Sequence, residues 1–432
     1  MTTSRELIKN GPAQTEQTRG QSTEMTSEPD TAVTAIHFDP FSEDFFKGPF
    51  DTYRRLRNEA PVYHDTKYGF YALSRFDDVA EGMKDWQTYS SARGITMEQY
   101  LLDEVPEEIS VLIIAMDPPE HTRMRKLVNK VFTPRAVAEL EPMIRRIITE
   151  FADQHDPKNF DAVKDFSAPF PVEIISQMLG VPPDERQDVR LRLDKALERR
   201  PGDFRTPPEG VQASIEAGVY WYELVQKRRA EPTDDMISRL VEVEVEREEG
   251  GVTRLSDIEI TGFLSLLGGA GDETVTKLIG SAVVLFAEHP EQWELLRSNR
   301  ELIPSAFEEL LRFEAPAQYN MRYSMRDVTL HGCTIPKHSP VMMITGSATR
   351  DERRFPDPDR FDITRKHGGH NLGFGYGAHS CLGAALARME GRIALELLAD
   401  RMPTYEVERD KLERVNMTNV MGYSSVPVRV TS

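Results

Sequence analysis

Apolar positions in the middle of the chain recur with the spacing of an α-helix. From Asp77 to about Arg312, most segments carry a period of about 3.6 residues. Loops that contain proline interrupt this pattern at residues 117–119, 181–183 and 205–208. The middle of the chain is therefore predicted to be mainly helical.

Shorter runs of alternating apolar and polar residues lie on both sides of this helical part. A helix over Phe50–Ala60 precedes the first runs, and a strong helix over Ala384–Leu398 follows the last. The runs that we interpret as strands are 61–63, 69–73, 328–330 and 340–344. The pattern predicts a fold that is mainly α with small β-sheet regions.

Length and composition are those of a globular protein. Of 432 residues, 39% are hydrophobic and 29% are charged, which provides a sizeable core and excludes wholesale disorder. The segment Met1–Asp30 is polar and rich in Thr, Glu, Ser and Gln. We predict a disordered N-terminal tail over residues 1–36 and a single catalytic domain over residues 37–432.

The charge balance and the cysteine count limit the binding partners and the cellular compartment that are compatible with this sequence. Lys and Arg total 53 against 71 Asp and Glu, a net charge of −18, which argues against a broad surface for nucleic acid or anionic membranes. The N-terminus has no apolar segment that would serve as a signal or anchor. The two cysteines, Cys333 and Cys381, are too few for a disulfide framework. We expect a cytoplasmic monomer.

The strongest local motif is a glycine-rich loop over residues 374–383, in which Cys381 stands just before a long helix. Unpaired N–H groups at a helix N-terminus favour a thiolate and can donate to its sulfur, so Cys381 is a candidate soft metal ligand. Gly375, Gly377 and Gly383 lack a β-carbon, which would let a flat, bulky group approach the backbone. Taken alone, Cys381 favours a buried structural cysteine beside a glycine turn over a metal ligand.

A second motif lies inside an apolar helix that ends near Phe286. Ser256 with Glu259 three residues later predicts a capping box at the start of this helix. The helix contains three glycines followed by an acidic pair and a threonine: Gly268, Gly269, Gly271, Asp272, Glu273 and Thr274. Either the helix is continuous and widens into a notch beside Thr274, or it ends at Gly268 and a new helix begins with Asp272 as its N-cap.

Two further helices carry charged residues at helical spacing. Glu309 and Arg312 are three residues apart on a helix that begins near Pro304. On the helix that follows residues 117–119, His121 and Arg125 are one turn apart and would be able to grip a carboxylate. A basic stripe lies on a face roughly opposite that pair: Arg123, Lys126 and Lys130.

Together these motifs, in this order, resemble the cytochrome P450 family of haem-thiolate monooxygenases, from about Phe38 to the C-terminus. The residues that match the family's haem-binding loop are Phe374, Gly377, His379, Cys381 and Gly383. The segment 270–274 matches the family's oxygen-activation motif, and Glu309 with Arg312 matches its structural Glu-x-x-Arg pair. Arg322 stands where the family commonly places a haem-propionate arginine. Residues 355–361 resemble the segment whose arginine, here Arg360, joins the Glu-x-x-Arg pair. Two positions depart from the family's pattern, namely Asn371 and Thr349.

The resemblance implies the P450 fold, haem b with Cys381 as the iron ligand, dioxygen as co-substrate, and NAD(P)H as the indirect electron source through a ferredoxin reductase and a ferredoxin. It implies that Thr274 and Glu273 act in oxygen activation. The other residues expected to contact haem are His121, Arg125, Arg322, His379, Phe374, Gly375, Gly383, Ala270 and Gly271. Leu267 and Ala270 are expected walls of a pocket for a hydrophobic small molecule. The expected docking surface for the redox partner is Arg123, Lys126, Lys130, Arg388 and Arg392.

Two other functions remain as alternatives. A haem-thiolate protein that does not activate dioxygen would be a peroxide-dependent enzyme, an isomerase or a sensor, but several such members replace the acid–alcohol pair that Glu273 and Thr274 retain here. A cysteine hydrolase that uses Cys381 and a distant histidine would leave the glycine-rich helix unexplained.

Overall fold

The structure, a computed structural model, describes residues 36–102, 109, 111–129, 132–246 and 251–431. From Ile36 onward they belong to one compact unit. The predicted tail over residues 1–36 lies outside the described residues except for Ile36, and Lys130 also lies outside them.

Helices account for most of the described chain. The first group is α1 (Glu43–Lys47), α2 (Phe50–Glu59), α3 (Phe76–Lys84), α4 (Met97–Tyr100), α5 (Glu120–Asn129) and α6 (Pro134–Glu139). The central group is α7 (Glu141–Asp153), α8 (Pro169–Leu179), α9 (Arg186–Leu197), α10 (Pro208–Ala230), α11 (Met236–Glu242) and α12 (Asp257–Glu288). The last group is α13 (Pro290–Ser298), α14 (Ile303–Phe313), α15 (Thr345–Ala348) and α16 (Ala384–Arg401).

Five small sheets accompany these helices in the part of the chain that the structure describes. Their strands are β1 (Val62–Asp65), β2 (Phe70–Leu73), β3 (Tyr89–Ser90), β4 (Asn159–Asp161), β5 (Glu244–Glu246), β6 (Val252–Arg254), β7 (Asn320–Ser324), β8 (Val328–Leu330), β9 (Cys333–Ile335), β10 (Pro340–Met343), β11 (Tyr405–Val407), β12 (Glu413–Arg414), β13 (Tyr423–Ser425) and β14 (Pro427–Val430). The largest sheet has the order β1-β2-β10-β7-β3, and in it Val341 of β10 pairs with Arg322 of β7. The others are β11-β14-β4 and the hairpins β12-β13, β5-β6 and β8-β9.

Helix α12 runs through the centre of the main hydrophobic core. It contacts α8, α10, α14 and α16, and its apolar residues occur on most sides of the helix, as expected for an element that other helices surround. Its start follows the predicted capping box, because the Ser256 hydroxyl accepts from the Glu259 N–H at 3.2 Å and the Glu259 carboxylate accepts from the Ser256 N–H at 2.8 Å.

The mainly helical middle, the two β regions and the last long helix were predicted correctly. The two-helix interpretation of the glycine-rich segment was wrong, because α12 is continuous from Asp257 to Glu288. Packing accounts for one of the three glycines. A β-carbon on Gly268 would lie 3.0 Å from the Trp221 ring of α10, so glycine lets the two helices approach closely.

Candidate active site

The cysteine loop is a tight structure that ends directly at α16. The backbone N–H of Cys381 donates to the carbonyl of Phe374 at 2.7 Å, which closes the loop on itself. Gly377 has a φ of 71°, and a β-carbon there would lie 2.8 Å from the Met83 carbonyl at the end of α3. Both the conformation and the close approach therefore require glycine at this turn.

The Cys381 thiol is accessible, although protein surrounds it closely. Burial raises the pKa of the thiol, whereas the Gly383 backbone N–H that donates to the sulfur and the charges of Arg125 and Arg388 act in the opposite direction. These donors and charges are the features that stabilise a thiolate at a helix N-terminus. Cys381 thus has the surroundings of a metal-ligating sulfur.

Basic side chains converge beside this loop. The rings of His121 and His379 lie 4.2 Å apart between centroids, and Arg125 donates to the carbonyl of Ser380, the residue before the cysteine, at 2.7 Å. Burial, then the charge of Arg125, lowers the pKa of His121 to about 4. Burial, then the charges of Arg322, His121 and Arg125, lowers the pKa of His379 to about 2. A site this rich in cationic and donor groups would favour an anion.

Arg322 reaches the same cluster from β7. It is buried, and its guanidinium donates to the carbonyl of Met321 at 2.7 Å. Burial lowers the pKa of Arg322, while the nearby Tyr100 and Asp117 act to raise it. Asp117 is itself held by the Ser90 hydroxyl at 2.5 Å and the Ser91 N–H at 2.9 Å.

The predicted oxygen-activation residues lie on consecutive turns of α12. Ala270 is exposed although the helix is central, Gly271 and Thr274 are half-buried, and Leu267 is buried. The Thr274 hydroxyl donates to the carbonyl of Ala270 at 3.3 Å, a bond that threonine commonly makes inside a helix. This bond is long, so the hydroxyl is able to exchange it for another acceptor.

Comparison with known proteins identifies the family. The family model described as Cytochrome P450 matches residues 218–422. Cytochrome P450 130 of Mycobacterium tuberculosis is 36% identical over 409 residues, which cover 93% of this chain and 100% of that protein. The vitamin D(3) 25-hydroxylase of Pseudonocardia autotrophica is 37% identical over 407 residues, 92% of this chain and 97% of that protein. The chain belongs to the cytochrome P450 family.

The solved P450 structures share the fold as well. The crystal structure of CYP109E1 from Bacillus megaterium in complex with testosterone has a TM-score of 0.81 and 34% identity, and covers 90% of this chain and 99% of that chain. The protein is therefore a haem-thiolate P450 monooxygenase with the P450 fold. Among the helices of the described residues, no candidate combines the length and the apolar character that a bilayer span requires.

The side chains around Cys381 fit a P450 haem. Both ring nitrogens of the buried His121 lack a hydrogen-bond partner, and so does Nε of Arg93. Because buried polar atoms are rarely left unpaired, these nitrogens indicate a polar ligand at this position, and the two propionates of haem would supply acceptors for their N–H groups. A β-carbon on Gly383 would meet no atom within 4 Å, so the backbone beside the sulfur is open to a flat ligand.

The structure brings together Glu309 and Arg312 and corrects the third member of their network. Glu309 accepts from Nε and Nη2 of Arg312 at 2.7 and 2.8 Å, and both side chains are fully buried.

The side chain of Arg360 does not join them. Its side chain is 68% exposed and pairs with Asp362 at 3.7 Å, whereas Arg365 donates to Glu309 at 3.1 Å. Arg360 contributes only its backbone carbonyl, which accepts from Arg365 at 2.9 Å. The two arginines are five positions apart in the sequence, and periodicity in a loop could not distinguish them.

The expected docking residues have different surroundings. Lys126 is exposed on α5 and Arg123 is half-buried, while Lys130 lies outside the described residues. Arg388 pairs with Glu308 at 2.5 Å, and Arg392 pairs with Glu141 and Glu396, each at 2.8 Å. The positive charge on α16 is thus partly neutralised by neighbouring carboxylates.

Glu273 has partners that sequence reasoning missed. Its Oε2 lies 2.8 Å from Nζ of Lys277, and both side chains are buried. Burial acts to raise the pKa of Glu273, but the neighbouring Asp194 of α9 and Lys277 hold that pKa below its ordinary value. Lys277 was predictable as an i, i+4 partner on the same helix. Asp194 was not, since only the packing of α9 on α12 brings it there.

Proposed function

We propose that this P450 inserts one oxygen atom from dioxygen into a hydrophobic small molecule, such as a terpenoid, steroid, fatty acid or aromatic compound. Electrons come from NAD(P)H through a ferredoxin reductase and a ferredoxin. The observation that carries the proposal is Cys381, whose accessible sulfur receives an N–H at the start of α16. In the same site, both ring nitrogens of the buried His121 lack a hydrogen-bond partner.

The haem, when bound, supplies the chemistry of oxygen activation, and the residues of the chain hold it and handle protons. Cys381 would ligate the iron, with Phe374 closing the loop behind it. His121, Arg125, Arg322 and His379 would pair with the propionates, because burial of the two negative propionate charges is unfavourable without counter-charges or hydrogen-bond donors.

On α12, Ala270 and Gly271 would leave room for the haem and for dioxygen. The Thr274 hydroxyl would hold a proton at its Oγ1, and Glu273 would help to replace that proton. Both halves of the acid–alcohol pair are present, which supports dioxygen activation over the peroxide-dependent, isomerase and sensor alternatives.

The substrate class rests on apolar surroundings and on relatives. Leu267 and Ala270 present apolar side chains on α12, and apolar lining with few polar groups is typical of pockets for hydrophobic ligands. One relative is named a vitamin D(3) 25-hydroxylase, and one related structure holds testosterone. Compounds of the steroid class are therefore the first to screen, by the Soret shift that follows displacement of an iron-bound water.

The thiolate assignment is tested on the two cysteines. Cys381→Ala should abolish the red-shifted Soret band of the reduced, carbon-monoxide-bound protein, whereas Cys333→Ala, on β9, should retain it. Loss of the band in Cys333→Ala together with its retention in Cys381→Ala would refute the assignment.

A further inference from the structure

A tight turn over residues 91–94 lies along strand β7. Before the turn, β3 pairs with the end of β7 that contains Tyr323. After the turn, the carbonyl of Ile95 accepts from the N–H of Met321 at 2.8 Å. Arg322 is the residue of β7 between these two attachments, so the turn stands beside Arg322.

This turn is held in one conformation and borders the cysteine loop. The Gly94 N–H donates to the carbonyl of Ser91 at 2.9 Å, and Gly94 has a φ of 100°, which favours glycine. The Tyr100 hydroxyl donates to the Gly94 carbonyl at 3.2 Å. The Ser91 hydroxyl lies 3.3 Å from Nε2 of His379 in the cysteine loop. A side chain on this turn is therefore positioned at the edge of the candidate active site.

Arg93 is the charged residue of the turn. Its guanidinium lies over two aromatic rings, 5.8 Å from the centroid of Tyr100 and 5.1 Å from that of Tyr323. Its Nε is buried without a hydrogen-bond partner, and no carboxylate of the described residues forms an ion pair with it. The rings stabilise the positive charge, but they do not replace a planar acceptor for the N–H groups. A carboxylate is the acceptor that matches the fork of N–H groups on a guanidinium.

A carboxylate at Arg93 has two sources, a haem propionate or the substrate, and the charge balance favours the substrate. Haem carries two propionates. Arg125 and Arg322 supply one positive charge for each propionate, and His121 and His379 add ring nitrogens. The charge of Arg93 exceeds this balance, so it remains for a third carboxylate.

We propose that Arg93 binds the carboxylate of the substrate, so that the enzyme favours a hydrophobic acid, such as a fatty acid or a steroid acid, over the matching alcohol or ester. The role is recognition, and no bond is made or broken at Arg93. The apolar part of the acid would pack on Leu267 and Ala270 of α12. The inference rests on the proposed function and narrows its substrate class.

The first test measures binding to the haem-loaded enzyme without turnover. Dodecanoic acid, dodecanol and methyl dodecanoate are each titrated at about pH 8, where the acid is ionised, and the Soret shift gives the dissociation constants. The parent should bind the acid about tenfold more tightly than either neutral compound, because a charge-assisted, bidentate hydrogen bond is stronger than a neutral one.

Variants assign this preference to one side chain. Arg93→Gln should bind all three compounds with similar affinity, and its affinity for the two neutral compounds should equal the parent's. Arg93→Lys keeps the charge without the planar fork and should retain part of the preference. Lys337→Gln, which removes one exposed positive charge between β9 and β10, is the matched control and should retain the whole preference.

The second test separates the two carboxylate sources. Haem transfer to apomyoglobin is followed for the parent, Arg93→Gln and Arg322→Gln. Arg322→Gln should release haem several-fold faster than the parent, because a propionate loses its counter-charge. Arg93→Gln should release haem at the parent's rate. Faster release from Arg93→Gln together with an unchanged preference for the acid would assign Arg93 to a propionate and overturn the proposal.

The outcomes distinguish this inference from the proposed function. Equal affinity of the parent for the acid and the neutral compounds, or a preference that survives in Arg93→Gln, would overturn the role of Arg93. So would a parent whose Soret band shifts with none of the three compounds. The proposed function fails on a different result, the absence of the carbon-monoxide Soret band of thiolate ligation from the parent.

Discussion

The guanidinium of Arg365 donates to Oε1 of Glu309 at 3.1 Å, although Arg365 lies outside the segment that resembles the family's pattern. Arg365 also donates to the backbone carbonyls of Pro356, Asp357 and Arg360 at 2.7 to 3.0 Å. It therefore joins α14 to the loop that precedes the cysteine segment. The carboxylate of Glu309 in this network is fully buried. Removal of either Arg312 or Arg365 would therefore leave part of its negative charge and its hydrogen-bond acceptors without a partner.

We predict that Arg365→Ala lowers the free energy of unfolding by about 3 kcal/mol, while Arg360→Ala changes it by less than about 0.5 kcal/mol. The difference follows from burial, since the Arg365 side chain is 11% exposed and that of Arg360 is 68% exposed. Urea denaturation followed by circular dichroism measures both. Equal losses of unfolding free energy in the two variants would contradict the assignment of Arg365, in place of Arg360, to the Glu309–Arg312 network.

The sequence predicted the elements better than the contacts between them. The capping box at Ser256 and the period of the following helix depend on neighbours within one or two turns, and the structure has both. The Glu309–Arg312 pair is local in the same sense. The link from Arg365 to Glu309 and the proximity of Asp194 to Glu273 bring together residues far apart in sequence. Only tertiary packing determines such contacts, and no short-range pattern encodes them.

Thr274→Ala should uncouple electron consumption from product formation. Loss of the hydroxyl removes a proton donor next to the oxygen site and leaves Cys381 unchanged, so we expect peroxide release to rise and product per NAD(P)H to fall by about a factor of ten. Thr274→Ser keeps the hydroxyl and is the matched control. The ratio of peroxide to NAD(P)H, measured with a compound that shifts the Soret band, decides the result, and equal ratios in the three proteins would argue against a role for Thr274.

The docking surface should depend most on Lys126. It is exposed on α5, whereas Arg388 and Arg392 already pair with carboxylates. Lys126→Glu should slow the first electron transfer from a ferredoxin by about tenfold at low salt and less at high salt, because charges close to the contact decide the encounter when the screening length is about 8 Å. Lys227→Glu, exposed on α10, serves as the control. Stopped-flow reduction is the measurement, and identical rates for both variants and the parent at every salt concentration would exclude this surface.

Glu390 should make stability depend on pH. It is 2% exposed on α16, its Oε2 has no hydrogen-bond partner, and burial raises its pKa well above the ordinary value. The carboxyl group therefore ionises in the unfolded chain at a lower pH than in the folded protein, and folding becomes less favourable as pH rises above its unfolded pKa. Glu390→Gln cannot titrate, so its stability relative to the parent should increase by up to about 1.4 kcal/mol per pH unit as pH rises above the unfolded pKa of a glutamate, about 4.3. Glu390→Met should show the same trend. Urea denaturation at several pH values tests this, and parallel profiles for all three proteins would contradict it.

Two glycines in helices should respond oppositely to alanine. A β-carbon on Gly391 of α16 would lie 2.2 Å from Cε2 of Phe307, a buried ring of α14, so Gly391→Ala must push the two helices apart or force the ring from its position. Overpacking of this kind costs about 1–3 kcal/mol. Gly218 lies inside α10 with no atom within 4 Å of such a β-carbon, and there alanine should stabilise by about 0.5–1 kcal/mol through the lower entropy of the unfolded chain.

Phe307→Leu combined with Gly391→Ala should recover part of the stability that Gly391→Ala loses, because the smaller side chain at position 307 leaves space for the new β-carbon. Thermal and urea unfolding of the single and double variants measure these effects, and additive losses in the double variant would show that Phe307 does not limit the approach of α16 to α14.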